Sequence, residues 1–550
     1  MIRGFQKGSL LPSIIIGAFT AIGGILYGFD TGLIAGVLAM EPFKQTYGTQ
    51  QPDGTWYLPS SKKSLFVSVL SAGLFCGAFS TGYLADVRGR RLGLIFGCII
   101  FMIGVAMQVA AANAALFGGG RFIAGFGTGA ISSIGPLYQA EIAPKHIRGT
   151  ITAGYHTAKT FGVLLAAIVN NSTKDRDGNS AYLIPIYIQF VWAVILIVGF
   201  AFLPESPRYF MKYGKRDKAR QALARIRHRD EDDAIVTSEL DEIEASLEVE
   251  HSIGDVSVRD CFKRENKQLY RLILGMTVMA FSQLVGVNFI KYFGTDFFQQ
   301  AGITNSFVIS MATNLVSFSM TIPALYLIER LGRRSFLIIG YIGSWITQYI
   351  IAIVGLVAAG SDLARRILVS FSILYIAIES AGVGPPSLVI VGEVFPLRTR
   401  AKSIALSLGC DYSWNFVIAL ATPYLVDSGP GNANLGSNVF FIWVGISAFS
   451  IRHGSCSLLG AIFVYVWVYE TKGLSLEQID ELYNTVPYAW QSAIFIPREM
   501  QDENSLILEL NKANKPGDVN VSDIEVSDAD DATVLSEEGI QEIQQPWSNL

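Results

Sequence analysis

Charged residues are scarce in this chain. Only 16% of its 550 residues are Asp, Glu, Lys or Arg, whereas 51% are hydrophobic, and the mean hydropathy is +0.39. A net charge of −4 provides no basic surface for a nucleic acid, so that class of partner is excluded. The composition is typical of a polytopic membrane protein, with ordinary polar surface confined to loops and tails.

Cysteine is also rare, and the sites that depend on it are not indicated. The five cysteines, Cys76, Cys98, Cys261, Cys410 and Cys456, lie far apart without the spacing of metal ligands. We therefore expect free or buried thiols, no metal and no cofactor. The sequence also lacks a nucleotide-binding loop or a nucleophile constellation, so it does not indicate an enzyme.

Long apolar stretches dominate what is present. Twelve of them are long enough to cross about 30 Å of hydrocarbon as helices. They are predicted at residues 14–40, 65–86, 92–112, 116–140, 150–170, 183–203, 269–298, 306–328, 335–358, 367–394, 402–426 and 439–468. The last is longer than a span requires and carries Arg452 near its middle, which is compatible with a tilted helix or with an insertion from an unremoved intron. The sequence predicts an all-α integral membrane protein.

A short basic motif occurs twice between apolar stretches. The sequence GYLADVRGRRLGL occupies residues 82–94, and ERLGRRSFL occupies residues 329–337. Each copy follows an even number of predicted spans. This repetition indicates a chain built from two similar halves, as in many secondary transporters.

The polar segments divide the chain further. Lys and Arg are more frequent in the loops on one side, which we assign to the cytoplasm together with both termini. The acidic C-terminal region is expected to be largely disordered. The predicted divisions are a cytoplasmic N-terminus (1–13), a first six-helix bundle (14–203), a cytoplasmic linker with short helices (204–268), a second bundle (269–468) and a cytoplasmic tail (469–550).

Eight motifs occur in a fixed order along the chain. They are GFDTGLIAG (28–36), DVRGRR (86–91), RFIAGFGTG with PLYQAEIAPKHIRG (121–149), PESPRYF (204–210), QLVGVNFIKYFG (283–294), ERLGRR (329–334), GEVFPLRTRAKS (392–403) and YETKGLSLEQID (469–480). With them the chain resembles the sugar porters of the major facilitator superfamily, and among these the fungal hexose transporters. The resemblance implies two six-helix bundles related by pseudo-twofold symmetry around a central cavity. It also implies alternating access for a monosaccharide, glucose or another hexose, in the plasma membrane, with a proton as co-substrate and the protein acting as a monomer.

Carboxylates and guanidiniums recur at the predicted cytoplasmic helix ends. We expect Glu141 to pair with Arg148, Glu205 with Arg208, and Glu393 with Arg398 and Arg400. Such pairs could join the two bundles in one conformation and separate in the other; static anchoring at the membrane edge is the alternative. The full predicted gating set is Asp86, Arg90, Arg91, Glu141, Arg148, Glu205, Arg208, Arg333, Arg334, Glu393, Arg398 and Arg400.

An acidic residue, Asp30, lies in the middle of the first span, where a charge is costly unless it is paired, protonated or hydrated. By the resemblance it matches the acid of proton-coupled members, and Arg121 matches the arginine that faces it. A carboxylate whose proton affinity depends on a nearby arginine could couple protons to transport. A permanent ion pair that braces the helices is the alternative.

Sugar recognition needs amides and hydroxyls, which donate and accept hydrogen bonds, together with an aromatic face. Gln283 and Asn288 match the amides of the seventh span in the family, and Tyr292 lies one turn beyond. His156 stands where hexose porters usually have a glutamine. These four residues are the predicted substrate-binding set; interhelical hydrogen bonds in a bundle core are the alternative.

Three charges depart from the family pattern, namely Lys159, Lys291 and Glu379 in spans five, seven and ten. Lys291 should share a helix face with Asn288, so it could bind a sugar acid. Alternatively, a lysine pairs with Glu379 or Asp296 and has no part in substrate binding.

Two other possibilities remain at this level. A sugar receptor with weak or no transport is an alternative to a transporter. In addition, Asn170 and Asn171 each begin an N-x-S/T sequon in the predicted external loop after span five, which makes a glycoprotein possible.

Overall fold

The computed structural model describes residues 11–144, 147–253, 257–303, 305–357, 361–396, 398–427, 429, 431–440, 442, 456–495 and 497. The chain divides into two units, Met1–Phe495 and Ile496–Leu550. The second unit is described only at Pro497, so the acidic end of the predicted tail lies outside the described residues.

The first half contains six long helices and one short helix. They are α1 (Leu11–Val37), α2 (Glu41–Tyr47), α3 (Ser60–Arg88), α4 (Arg90–Val109), α5 (Ala114–Ile142), α6 (Arg148–Thr173) and α7 (Ser180–Phe202). The linker then forms α8 (Pro207–Lys212), α9 (Arg216–Arg227) and α10 (Ala234–Ile253), followed by 3₁₀ turns at Val258–Phe262 and Glu265–Lys267. The predicted short linker helices therefore form, although α10 extends over 20 residues.

The second half repeats the pattern with two of its spans interrupted. Its helices are α11 (Gln268–Leu284), α12 (Val287–Gln300), α13 (Ser306–Leu331), α14 (Arg333–Val357), α15 (Asp362–Gly382), α16 (Gly384–Glu393), α17 (Arg400–Val426) and α18 (Cys456–Trp467), with a 3₁₀ turn at Gly436–Val439. After the last span come α19 (Leu476–Thr485) and a 3₁₀ turn at Ala489–Ile494.

Nine described helical segments are long and apolar enough to span a membrane. The glycine-rich α5, the polar α6 and the shorter α18 bring the number to the twelve spans that the sequence predicts. Only part of the twelfth predicted span, 439–468, is described. Arg452 lies outside the described residues.

The breaks in spans seven and ten were not predicted. Gly286 separates α11 from α12 with φ of +86°, a left-handed conformation that favours glycine. Val383 separates α15 from α16, and Pro385 and Pro386 follow in the first turn of α16, where their missing N–H groups are tolerated. Gln283 and Asn288 flank the first break, and Glu379 precedes the second.

The segment between α1 and α3, which is predicted to be external, folds against the first bundle. Strand β1 (Thr49–Gln50) pairs antiparallel with β2 (Trp56–Tyr57). The buried ring of Phe43 lies with its centroid 5.6 Å from that of Phe66 and 5.3 Å from that of Tyr182. This aromatic packing fixes the entry to α3.

The folded part of the chain continues beyond the predicted start of the tail at residue 469. Tyr469 and Tyr483 are buried, with ring centroids 4.4 Å apart. Asp480 forms an ion pair with the fully buried Arg271 of α11, whose guanidinium also lies 4.3 Å from the Tyr483 ring centroid. Residues 469–495 are thus part of the folded unit.

The two sequons lie in the last turns of α6, and the prediction that placed them in a loop is wrong. Asn170 is 2% exposed, and its Nδ2 donates a hydrogen bond to the Leu33 carbonyl at 3.0 Å. A glycan on that nitrogen would have to replace this bond and open the α1–α6 contact. Asn171 is partly exposed.

Candidate functional site

A hydrogen-bonded set of side chains occupies the break of the seventh span. Gln283 donates from Nε2 to Asp411 Oδ1 of α17 at 2.6 Å. Its Oε1 accepts a hydrogen bond from Asn288 Nδ2. The structure therefore brings two predicted amides together, with a carboxylate that the sequence analysis did not single out.

A second amide on α17 extends this set into the first bundle. Asn415 Oδ1 accepts hydrogen bonds from Tyr292 OH at 3.2 Å and from Ser71 Oγ of α3 at 2.6 Å. Ser71 belongs to the first half, so the polar set crosses between the bundles. Asp411 and Asn415 lie one helical turn apart, and that spacing of polar residues within an apolar span is the signal that could have identified them.

The facing wall comes from α6. Lys159 Nζ lies 4.1 Å from the Tyr27 ring centroid of α1. Close packing sets this position, because a Cβ atom at Gly28 would lie 1.8 Å from the Lys159 carbonyl oxygen. His156, one turn earlier, is partly exposed and lies within electrostatic range of Lys159 and Lys291.

Lys291 has a protein partner. Its Nζ lies 3.5 Å from Glu379 Oε2, with the lysine side chain 33% exposed and the glutamate side chain 6% exposed. This geometry matches the internal-pair alternative. Asp296, the other carboxylate considered, is instead bound to Lys63.

The two predicted coupling residues are in contact. Arg121 Nη1 lies 2.7 Å from Asp30 Oδ1, and both side chains are fully buried. Arg121 Nε also donates to the Phe66 carbonyl at 3.2 Å. Asp30 Oδ2 and Arg121 Nη2 have no hydrogen-bond partner among the described residues. The carboxylate is therefore held through one of its oxygens, and Arg121 Nη1 also donates to the Asp30 carbonyl at 3.5 Å.

A buried charge network joins the two halves at the ends that the sequence analysis predicts to be external. Lys63 Nζ lies 2.5 Å from Asp296 Oδ2 and 3.1 Å from Asp427 Oδ2. Gln300 Nε2 donates to both carboxylates, at 3.0 and 3.2 Å, and Ser60 Oγ donates to Asp427 at 3.1 Å. We call these five residues the external network. The sequence does not single out Lys63, because its partners are more than 200 residues away.

The first of the predicted cytoplasmic clusters is arranged differently from its prediction. Glu141 is bound by Arg90, through Nη2 at 3.0 Å and Nε at 3.0 Å, rather than by Arg148. Arg90 Nη1 also lies 3.2 Å from Asp86 Oδ1. Arg90 rather than Arg148 binds Glu141 because Arg90 is buried beside that carboxylate, whereas Arg148 is exposed.

Glu205 binds the start of a helix. Its two carboxylate oxygens accept the backbone N–H groups of Arg90 at 3.0 Å and Arg91 at 3.1 Å, where a negative charge is favoured. Burial raises the pKa of Glu205, and the backbone N–H donors of Ser206, Arg91 and Arg90 oppose that rise. Arg208 lines a cavity of about 370 Å³ beside Glu141.

The second half repeats this arrangement. Glu470 accepts the backbone N–H groups of Arg333 at 2.9 Å and Arg334 at 3.1 Å. The Arg333 guanidinium bonds Glu393 at 3.1 Å and Glu329 at 2.8 Å. The glycines before the two arginine pairs have φ of +101° and +88°, and a Cβ there would lie 2.3 and 2.5 Å from the respective glutamates.

The remaining predicted gating residues take other positions. Arg400 donates to the Gly392 carbonyl at 2.6 Å, and Arg91 donates to the Ala201 carbonyl. Arg334 donates to the Tyr465 carbonyl at 2.8 Å. Arg398 is exposed and lies beside Asp260 in a surface pocket. Each of these hydrogen bonds stays within one half, whereas the external network joins both halves.

Comparison with known proteins places this geometry in context. A family model described as sugar (and other) transporter matches residues 16–483. The chain is 43% identical to the major facilitator-type transporter ecdD of Aspergillus rugulosus, over 89% of this chain and 91% of ecdD. It is 39% identical to the probable glucose transporter rco-3 of Neurospora crassa, over 91% of this chain and 85% of rco-3.

A sensor and a solved structure are also similar. The chain is 40% identical to the high glucose sensor RGT2 of Saccharomyces cerevisiae, over 87% of this chain and 62% of the sensor. The inward-open structure of the xylose transporter XylE from E. coli matches 86% of this chain and 99% of XylE, with a TM-score of 0.67 and 22% identity. That likeness shows the fold.

Proposed function

This chain belongs to the sugar transporter family of the major facilitator superfamily, and from that premise we propose that it carries a hexose, with glucose as the first candidate, by alternating access. The hydrogen-bonded set of Gln283, Asn288, Tyr292 and Asn415 supports this proposal. Amides and a phenol can donate to and accept from sugar hydroxyls. Similarity to a probable glucose transporter supports the choice of hexose.

The external network supports the alternating-access part of the proposal. It joins the two halves at the ends that the sequence analysis assigns to the outside, which supports an assignment of the structure to a state with the outer entrance shut. Opening that entrance requires Lys63 to leave Asp296 and Asp427, whose charges then become hydrated. The cytoplasmic clusters instead brace each half, because their arginine–glutamate pairs stay within one bundle.

Proton symport is proposed from the Asp30–Arg121 pair. A buried carboxylate held through a single oxygen loses much of its stabilisation if the arginine moves away, and protonation then becomes the less costly state. Substrate binding at the centre could bias that movement. We also propose that the protein lies in the plasma membrane, has both termini in the cytoplasm and acts as a monomer.

Two other functions have specific support. Similarity to a high glucose sensor favours a receptor. The surroundings of Lys159 favour a sugar acid as the substrate. The Lys159 ammonium group lies over the Tyr27 ring, and among the described residues no carboxylate lies within ion-pair distance of it.

Uptake in cells that lack their own hexose carriers tests these functions. Labelled glucose, xylose and a sugar acid would be supplied with and without an uncoupler. Saturable glucose uptake supports the transporter, and its loss with the uncoupler supports symport. Preference for the acid would replace the hexose proposal. Surface expression without any uptake would favour the receptor.

A further inference from the structure

A cavity of about 490 Å³ lies against the external network, at the ends of the two halves that are predicted to be external. All five residues of the network line it, so the network forms one of its walls. We call this cavity the outer vestibule; its other lining residues include Trp56, Tyr57, Ser61, Tyr424 and Asn432. Its volume lies within the range of about 300–1,000 Å³ that is typical of small-molecule sites.

The first half supplies an aromatic face to the outer vestibule. Trp56 lies in β2, where it pairs with Gln50 of β1. The hairpin turns at Gly54, which has φ of +85° and whose N–H donates to the Gln51 carbonyl at 3.0 Å. Trp56 is partly exposed. The hairpin therefore holds an indole ring at the cavity, and the flat face of such a ring suits the C–H surface of a sugar.

The second half supplies an amide. The loop after α17 folds back on that helix, because the Ala433 N–H donates to the Tyr424 carbonyl at 2.8 Å. This places Asn432 across from the first half, where its Nδ2 donates to Ser60 Oγ at 2.8 Å. Asn432 Oδ1 accepts no hydrogen bond from the described residues. The amide is thus fixed through one end, and its acceptor end remains available to a ligand.

A carboxylate oxygen in the wall also remains available. Asp296 binds Lys63 and Gln300 through Oδ2, at 2.5 and 3.0 Å. Its Oδ1 accepts no hydrogen bond within the described part of the chain. Sugar hydroxyls donate to carboxylate and amide oxygens, so Asp296 Oδ1 and Asn432 Oδ1 suit a ligand with several hydroxyl groups.

The charges that line the outer vestibule balance one another. Among its described lining residues, Lys44 and Lys63 are basic, and Asp296 and Asp427 are acidic. Lys63 is also bound directly by both aspartates. This balance favours a neutral ligand over an ion. Together with the aromatic face and the two free oxygens, it favours a neutral sugar.

We propose that the outer vestibule is a second binding site for the transported hexose, outside the external network. The inference rests on the proposed hexose transport and adds a site that a sugar reaches while Lys63 still holds the two halves together. It is separate from the central polar set, because Gln283, Asn288 and Tyr292 do not line the vestibule.

Protection of a cysteine in the vestibule tests this inference. Ser61 is exposed and lines the cavity. Detergent-purified, full-length Ser61→Cys protein would be labelled with a thiol reagent, with and without glucose, and followed at residue 61 by peptide mass spectrometry. At a glucose concentration about ten times its dissociation constant, the labelling rate should fall about tenfold, because only that fraction of the sites is unoccupied. Mannitol, which has no ring, should not protect.

Two controls separate occupation of the vestibule from other effects of glucose. Asp177→Cys, at an exposed residue between α6 and α7 that does not line the cavity, should be labelled equally with and without glucose. Adding Gln283→Ala and Asn288→Ala to Ser61→Cys disables the proposed central site, so protection that persists there comes from the vestibule itself.

Replacement of the aromatic face provides a second measurement. In the Ser61→Cys protein, Trp56→Ala should abolish protection at the same glucose concentration, whereas Trp56→Phe keeps an aromatic face and should retain it. Protection that survives Trp56→Ala would overturn the assigned role of the indole ring and with it the inference. This comparison decides the question if the variant without the central amides does not fold.

The outcomes distinguish the inference from the proposed function. If cells take up labelled glucose but residue 61 is not protected, the inference is overturned and the proposed function stands. The same holds if protection disappears with Gln283→Ala and Asn288→Ala, because the central site then caused it. Protection without any uptake would support the vestibule site and contradict hexose transport.

Discussion

The ammonium group of Lys63 lies 2.5 Å from the carboxylate of Asp296, and this contact joins the two halves of the molecule at the ends predicted to be external. Both side chains are buried, with 7% and 8% exposed. A buried charge that loses its partner is expensive, so the contact favours the closed arrangement only while both members are present.

Replacing Lys63 should therefore open the outer entrance. Lys63→Met leaves Asp296 and Asp427 buried without their cation, which costs about 3–5 kcal/mol in the closed state. Opening relieves this cost by hydrating the carboxylates. With Ser64→Cys as reporter, we expect labelling by a membrane-impermeant thiol reagent to accelerate by about tenfold or more.

Lys62→Met provides the matched control for this experiment. Lys62 donates to the Tyr47 carbonyl at 2.6 Å, which lies in the same half, so its loss should leave the labelling rate unchanged. Equal labelling of the two variants would show that Lys63 does not hold the entrance shut.

The repeated cytoplasmic clusters predict matched effects in the two halves. Arg90→Lys and Arg333→Lys keep the charge but lose the forked geometry that bonds a carboxylate through two nitrogens. We expect a lower thermal midpoint of the detergent-purified protein for both, by several degrees, with glucose affinity retained. Arg398→Lys, at an exposed residue, should leave the midpoint unchanged. A lower thermal midpoint for only one of these two variants would contradict equivalent roles of Arg90 and Arg333.

The repeated motif made the architecture predictable, but not its contacts. Gly-Arg-Arg recurs in sequence, and the structure shows why: each glycine admits a glutamate to the start of the following helix. The glutamates themselves, Glu205 and Glu470, lie far from those arginines in sequence. Spacing alone therefore suggested Arg208 as the partner of Glu205.

The charge pairs of the external network escaped sequence reasoning for the same cause. Lys63 and Asp296 lie in different halves, and nothing in either local pattern points to the other. Asp411 is a different case. It is an acid within an apolar span, as Asp30 is, and the same argument about the cost of a charge in a membrane would have identified it.

The segment after the last span should be needed for folding. Arg271 is fully buried, and its ion pair with Asp480 and its contact with the Tyr483 ring both depend on residues 469–495. A chain ending at residue 468 would leave that guanidinium buried without either partner, so we expect loss of monodisperse protein in detergent. A chain ending at residue 495 keeps both contacts and should behave as the full chain does. Equal behaviour of the two truncations would contradict a structural role for α19.

Asp30 offers the sharpest test of coupling. Asp30→Asn removes the titratable group while keeping its size, and the amide oxygen can still accept a hydrogen bond from Arg121. If protons are coupled through this carboxylate, exchange of labelled glucose across the membrane should persist while accumulation against a gradient is lost. Asp53→Asn, in the exposed external turn where Asp53 accepts from Thr55, should accumulate glucose normally. Accumulation by Asp30→Asn would show that the Asp30–Arg121 pair only braces α1 against α5. Loss of both exchange and accumulation, with normal surface expression, would instead assign the pair to the conformational change itself.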